Sequence, residues 1–377
     1  MTPIPLSLYV HIPWCVRKCP YCDFNSHAQR EETLPEAAYV TALLDDLREE
    51  YEQANRREIK SIFIGGGTPS LFSHQALDQL LSGIAKITNL ASDIEITLEA
   101  NPGTFEQAKF DGFKAAGVNR LSIGIQSFND QHLKALGRIH SANEAITAVE
   151  HARKIFSNIN LDLMHGLPTQ SNADAMRDLS QAIALAPDHI SWYQLTIEPN
   201  TEFHARPPSL PVDEILWSIQ EDGQALLAKA GFKQYEVSAY AQAGRQAKHN
   251  LNYWQFGDYM GIGAGAHGKV TQNGAITRRW KQKQPKRYMA LETRLGGEQV
   301  LASEDLPFEF MMNALRLNQG VPASLYADRT GQTLEQVTPL LQQAKQKGLL
   351  EDKADWIAPT PQGRLFLNDL LGMFLED

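Results

Sequence analysis

Six short runs rich in β-branched and aromatic residues recur before residue 200: SLYVHI, SIFIG, DIEITLEA, RLSIGIQ, NINLDLMHG and HISWYQLTI, with helical spacing between them. Strands that alternate with helices pair in parallel, because a parallel neighbour is reached only through a crossover. The intervening stretches carry the matching signals. Leu43, Leu44 and Leu47 follow Pro35, and Ile215, Ile219, Leu226 and Leu227 follow Asp213, a candidate N-cap. EVSAY is a candidate seventh strand. The expected class is therefore α/β, as a barrel or an open doubly wound sheet. With 377 residues and 43% hydrophobic content, the chain can fill one large α/β domain and a smaller one.

Polar residues gather where strands run out into loops. Cys15 follows HIP, Gly65 to Thr68 follow SIFI, Glu99 follows ITL, Gln126 follows SIGI, and Asp162 lies within INLDL. In a β/α barrel the carboxyl ends of the strands form the active face, so these residues are expected to converge. That favours a partial (β/α)6 barrel of TIM type over residues 1–240. Residues 241–300, with GIGAGAHG and RRWKQKQPKR, read as a connecting segment. Residues 301–377 turn helical and then hairpin-like at LEDKADWIAPT, the order of a winged helix. From Ser303 onward there are 11 acidic against 6 basic residues, and the whole chain carries a net charge of -9, the wrong sign for a nucleic-acid partner. No stretch reaches the roughly 18 apolar residues of a spanning helix, and MTPIPLSLYVHIPW lacks the pattern of a secretory leader, so a cytoplasmic location is expected.

All three cysteines, Cys15, Cys19 and Cys22, fall within eight positions. An odd, clustered set without an export signal points to metal or redox chemistry rather than disulfides. Two centres satisfy that count. Zinc would be completed as Cys3His by His11 or His27, whereas a [4Fe-4S] cluster on three thiolates keeps one iron open to a substrate. GGGT lacks the GK[ST] ending of a P-loop, and Gly261, Gly263 and Gly265 lack the strand-turn-helix context of a dinucleotide site.

CVRKCPYC resembles the CxxxCxxC signature of the radical S-adenosylmethionine (SAM) superfamily, and GGGTPS, LEANP, SIGIQSF and DLMHGLP follow in the order of its coproporphyrinogen III oxidase-like branch. The resemblance implies a [4Fe-4S] cluster on Cys15, Cys19 and Cys22, with SAM chelating the free iron and cleaved to methionine and a 5'-deoxyadenosyl radical. It further implies SAM contacts from Gly66, Gly67, Thr68, Glu99, Gln126, Arg138 and Asp162, with Tyr9 and Tyr21 packing beside the cluster and adenosyl group.

Within that branch two functions compete. One is oxygen-independent coproporphyrinogen III dehydrogenation; the other is haem delivery by the related haem chaperones. The dehydrogenase carries CxxxCxxCxC and an extended N-terminal segment, whereas here Phe24 fills the last position and 14 residues precede Cys15. HNLNYW, residues 249–254, resembles the HNxxYW motif of the haem chaperones and implies His249, or else Tyr253, as a haem ligand beside Trp254. The expected partners are haem, haem-accepting respiratory proteins and a haem donor protein, with a homodimer left open. The run Arg278, Arg279, Lys281, Lys283, Lys286 and Arg287 could meet haem propionates or, at about 1 kcal/mol per cation, the anionic inner face of the cell membrane.

Overall fold

The computed structural model describes residues 4–29, 33–103, 107–290 and 294–375. Strands β1 (Leu6–Ile12), β2 (Ile59–Gly66), β3 (Leu90–Ala100), β4 (Arg120–Gln126), β5 (Ile159–His165) and β6 (His189–Gln194) lie side by side in chain order, all parallel. Helices Glu36–Gln53, His74–Ile87, Phe110–Ala115, Ala142–Ile155 and Asn172–Ala184 cross between them. This is the expected (β/α)6 partial barrel. Serine begins several crossovers: Ser141 and Ser171 each form a capping box, and Ser73 accepts from the Ala76 amide. Asp213 does not cap. It is the first helical residue after an extended Val212, where its charge still faces the positive end of the helix.

Residues 233–300 differ from expectation. EVSAY is a hairpin: β7 (Lys233–Glu236) turns at Val237 and Ser238 into β8 (Ala239–Ala241), which pairs antiparallel with β6. The segment read as a connection extends the same sheet at its other side. There β9 (Asp258–Ile262) pairs in parallel with β1, and β10 (His267–Gln272), β11 (Ala275–Lys281) and β12 (Leu295–Val300) follow antiparallel. The result is one 12-stranded sheet with β1 inside it.

Alternation along the parallel strands divides them into two faces. Leu8, Val10, Ile62, Ile64, Leu98, Leu121, Ile123, Leu161 and Ile190 are buried in one apolar cluster with the crossover helices. The opposite positions are polar and bond across strands. Ser7 meets Ser61 at 2.7 Å, Ser122 donates to Asp162 at 3.0 Å, and Asn160 joins His189 at 2.6 Å. Barrels usually fill their interior with branched apolar side chains. Here it is lined for polar work.

A second apolar cluster, including Phe310, Met311, Tyr326, Leu350, Ile357 and Phe374, holds the C-terminal part together. Helices Leu306–Ala314, Ser324–Thr330 and Thr338–Gln346, with a short antiparallel pair of Val321–Pro322 and Trp356–Ile357, follow the winged-helix order. Pro339 sits in the first turn of its helix, where the missing amide costs nothing. Among the described residues no helix is long and apolar enough to cross a membrane.

Candidate metal and cofactor site

The cysteine loop is closed and then sewn to its neighbours. Trp14–Cys15 pairs with His27–Ala28, and the Cys22 amide donates to the Cys19 carbonyl at 3.1 Å. Asn25 Nδ2 donates to the carbonyls of Ala264 and Lys283, both at 2.9 Å. On its other side, the amides of Gly67 and Thr68 donate to the carbonyls of Ile12 and Trp14 at 2.8 and 2.7 Å. Gly66 and Gly67 permit this approach. A Cβ on Gly66, whose φ is +117°, would lie 2.7 Å from the His11 ring, and one on Gly67 would lie 2.5 Å from the Trp14 carbonyl oxygen.

Cys15 is buried, while Cys19 and Cys22 are half-buried. The three thiols face a cleft of about 360 Å³ that is also lined by Tyr21, Gly66, Gly67, Thr68, Glu99, Gln126, Arg138 and Asp162. The residues expected at the strand ends thus share one cleft, joined by Tyr21 from the cysteine loop and by Arg138, which follows helix Asp130–Ala135. Tyr9 is the exception. It lines a neighbouring cleft of about 680 Å³, with its ring stacked on Phe63 and its hydroxyl 2.8 Å from His11 Nδ1.

Arg138 is braced from behind. Its Nη2 donates to Asn101 Oδ1 at 2.7 Å and to the Gly124 carbonyl at 2.9 Å, and Nη1 stands 3.8 Å from Cys19 Sγ. Its buried Nε has no partner among the described residues, a vacancy that costs about 1–3 kcal/mol and suits an anionic ligand group. Burial, then the charge of Asp162, push the Glu99 carboxyl up to about 8, while the Gly66 amide, donating at 3.1 Å, pulls it back. Burial also raises Asp162, against hydrogen bonds from Asn160 and Ser122. Two neighbouring buried carboxyls, both shifted upward, make a place where a cation is favoured. Gln126 adopts φ +68°, an uncommon conformation for this residue type, and its Oε1 accepts from Tyr193 at 3.0 Å.

Among the described residues no three His, Cys, Asp or Glu side chains converge on a point where a single ion could be held. His11 is spent on Tyr9 and the Asn25 carbonyl, and His27 Nε2 on the Lys283 carbonyl, so neither completes a zinc site. A four-iron cluster places each thiolate on a different iron, so three sulfurs around a cleft suit it. The open cleft beside them, the glycine backbone and the unpartnered Arg138 Nε fit SAM.

His249 lines neither cleft. It is buried at the start of helix Lys248–Trp254, its ring centroid 4.4 Å from that of Phe63 and its Nδ1 3.0 Å from Glu95 Oε1. Tyr253 does line the second cleft, edge to face with Tyr259. The basic run does not form one cationic face. Lys281 is buried against Asp46 and Glu50, at 2.5 and 2.7 Å, while Arg279 pairs with Glu50 and Glu298, and Arg278 with Glu309.

Sequence reasoning missed Asn101, Ser122, Ser191 and Tyr193, which line the first cleft. Asn101 directly follows β3, so the strand-end rule could have found it. The others sit inside strands, and their signal was the period-two run of polar or small residues, Ser122-Gly124-Gln126 and Ser191-Tyr193, facing inward.

A model of the radical SAM superfamily matches residues 9–182, and one of the HemN C-terminal domain matches residues 301–366. Proteins described as "Heme chaperone HemW" are 53% identical in Haemophilus influenzae and 52% in Escherichia coli. Each alignment covers 99% of this chain, and 98% and 99% of the relative. The chain belongs to the HemW family of radical SAM proteins. A HemW of Bacillus subtilis is 35% identical over 98% of the chain and 99% of its own length. Coproporphyrinogen III oxidase (HemN) from Escherichia coli, a radical SAM enzyme, superposes with a TM-score of 0.82 at 24% identity, covering 98% of this chain and 90% of its own. HemW and HemN thus share the α/β fold with its C-terminal domain.

Proposed function

We propose that the chain is a radical SAM haem chaperone, which binds haem and hands it to haem-requiring proteins such as respiratory cytochromes. The observation that carries this reading is the 52–53% identity, over nearly the full length, to relatives described as heme chaperones. The likeness to the oxidase, at 24% identity, extends to fold alone. Phe24, where the oxidase-like signature has a further cysteine, supports the same choice.

As a radical SAM protein, the chain takes a [4Fe-4S] cluster and SAM as cofactors. We assign the cluster to Cys15, Cys19 and Cys22, and SAM to Gly66, Gly67, Thr68, Glu99, Gln126, Arg138 and Asp162. A cluster held by Cys15, Cys19 and Cys22 would, once reduced by an external donor, supply one-electron chemistry to the SAM sulfonium. The chain's own part is to bind and orient. Gly66 and Gly67 leave their backbone open to the methionyl end, Arg138 offers its braced guanidinium to the carboxylate, and Glu99 gives up its proton to take a ribose hydroxyl beside the cation. The barrel unit runs to about residue 300, and the acidic domain after it packs against the barrel as a lid or support.

The test uses one anaerobic preparation. Haem is expected to give a stable Soret band and to pass to an apo-cytochrome, while coproporphyrinogen III with SAM and reductant is left unchanged. Rapid decarboxylation of the porphyrinogen, with no haem complex, would restore the dehydrogenase.

A further inference from the structure

We propose that haem sits in the second cleft, beside β1, β9 and β10, with His267 as axial ligand and Lys283 meeting a propionate. The inference rests on the haem-chaperone reading and gives that reading a site. At about 680 Å³ the cleft falls within the roughly 300–1,000 Å³ of pockets that enclose organic ligands. One part of its wall is aromatic and suits a flat ring, while Lys18, Asp23, Asn25, Ser26 and Asn200 make the rest polar. Tyr253 and Tyr259 meet edge to face with centroids 4.7 Å apart, Tyr9 is backed by Phe63, and Phe24 stands exposed at the edge.

Three imidazoles line this cleft, and two are committed. His11 is buried with Nδ1 taken by Tyr9 and Nε2 by the Asn25 carbonyl, and His27 Nε2 faces the Lys283 carbonyl at 3.3 Å. His267 is exposed, and among the described residues no side-chain hydrogen bond engages it. Its ring stacks on Trp280, directly opposite it on β11, so one face is supported while the nitrogens stay available. That combination suits an axial nitrogen. Lys283 lines the same cleft, and its backbone carbonyl is fixed by Asn25, which places a cation on a wall that a propionate can reach. His249 offers the contrast: it is buried against Glu95 and lines neither cleft.

Phe24 lines both clefts, so haem placed here would lie one side chain from the SAM site. No such juxtaposition follows from ligation by His249.

The experiment titrates anaerobic, cluster-loaded full-length protein with haem and follows the Soret band, the haem electron paramagnetic resonance signal and Kd. His267→Ala is expected to shift the band and to weaken binding at least tenfold, since even outer partners of a metal ligand cost about 10–100-fold. Added imidazole should restore the wild-type spectrum. Lys283→Glu should weaken binding and leave the spectrum unchanged, while His249→Ala should leave the axial-ligand signature intact. His267→Met, which keeps bulk and offers a thioether, provides a second reading should the alanine variant fail to retain its cluster. A wild-type spectrum and affinity in either His267 variant would overturn the assignment and leave the chaperone reading standing. Absence of haem binding by the wild-type chain would overturn both.

Discussion

Glu99 keeps most of its proton at neutral pH, because burial and the nearby Asp162 charge push its carboxyl up to about 8. A bound sulfonium reverses the balance, so SAM binding at pH 7 is expected to release a proton, seen as a dependence of the calorimetric heat on buffer ionisation enthalpy. Glu99→Gln should abolish that dependence. The linked stability has a definite sign. The folded-state value lies above the ordinary 4.5, so the contribution is intact below 4.5 and is lost as pH rises towards 8. Apo-protein midpoints should therefore fall across that window, and fall less in Glu99→Gln. Arg138→Ala removes a charge-assisted pair worth about 1.5–3 kcal/mol, so SAM affinity should drop by about tenfold to a hundredfold, measured by equilibrium binding. Unchanged affinity would remove Arg138 from the site. Glu99 could be found from sequence because it lies at the end of a strand, and backbone direction alone fixes which end of a parallel strand faces the site, whereas Arg138 follows helix Asp130–Ala135 and was reached only through the family resemblance.

Helix Lys248–Trp254 explains why the motif it carries was only half legible. Glu95 Oε1, on β3, accepts from the Lys248 amide at 3.0 Å and from His249 Nδ1 at 3.0 Å, so a carboxylate 153 residues away receives the start of the helix. Burial pushes Glu95 up, yet the His249 hydrogen bond and the Arg120 charge outweigh it and hold the carboxyl at about 2. That contribution is present above 4.5 and is lost as pH falls towards 2. Burial pushes the His249 imidazole down, towards its neutral form, so Glu95→Ala should destabilise the chain by about 1–3 kcal/mol, read from denaturant midpoints, because it leaves a buried imidazole without its hydrogen-bond partner. The same view predicts that His249→Ala lowers stability. Nothing in HNLNYW reveals that its histidine points at a strand so far off in sequence, whereas the 3.6-residue spacing of Leu43 and Leu47 announces its own helix. Strands β9 to β12 were hidden for a related reason. They are short and glycine-rich or strongly charged, and Lys281 reads as surface until Asp46 and Glu50 on the first helix are seen to enclose it.

At the scale of the whole molecule, that enclosed lysine joins the first crossover helix to the sheet extension. Lys281→Ala should leave two buried carboxylates facing one another and cost about 3–5 kcal/mol, with the thermal transition of the barrel shifting more than that of the C-terminal domain. The order of β1 to β6 was readable because each crossover is local. The place of β9 was not, because its partner β1 precedes it by some 250 residues. The stitching of the cysteine loop carries that separation into biosynthesis. Asn25 anchors the loop to the carbonyls of Ala264 and Lys283, and Lys283 lies 258 residues further along the chain. At typical elongation rates of about 5–20 residues per second, roughly 10–50 s pass between translation of the three cysteines and arrival of the residue that fixes their loop. Through that interval the thiols have no finished cradle. Iron and sulfide are therefore best delivered to a completed chain, and a ribosome stalled before residue 264 presents the cysteines to oxidants instead.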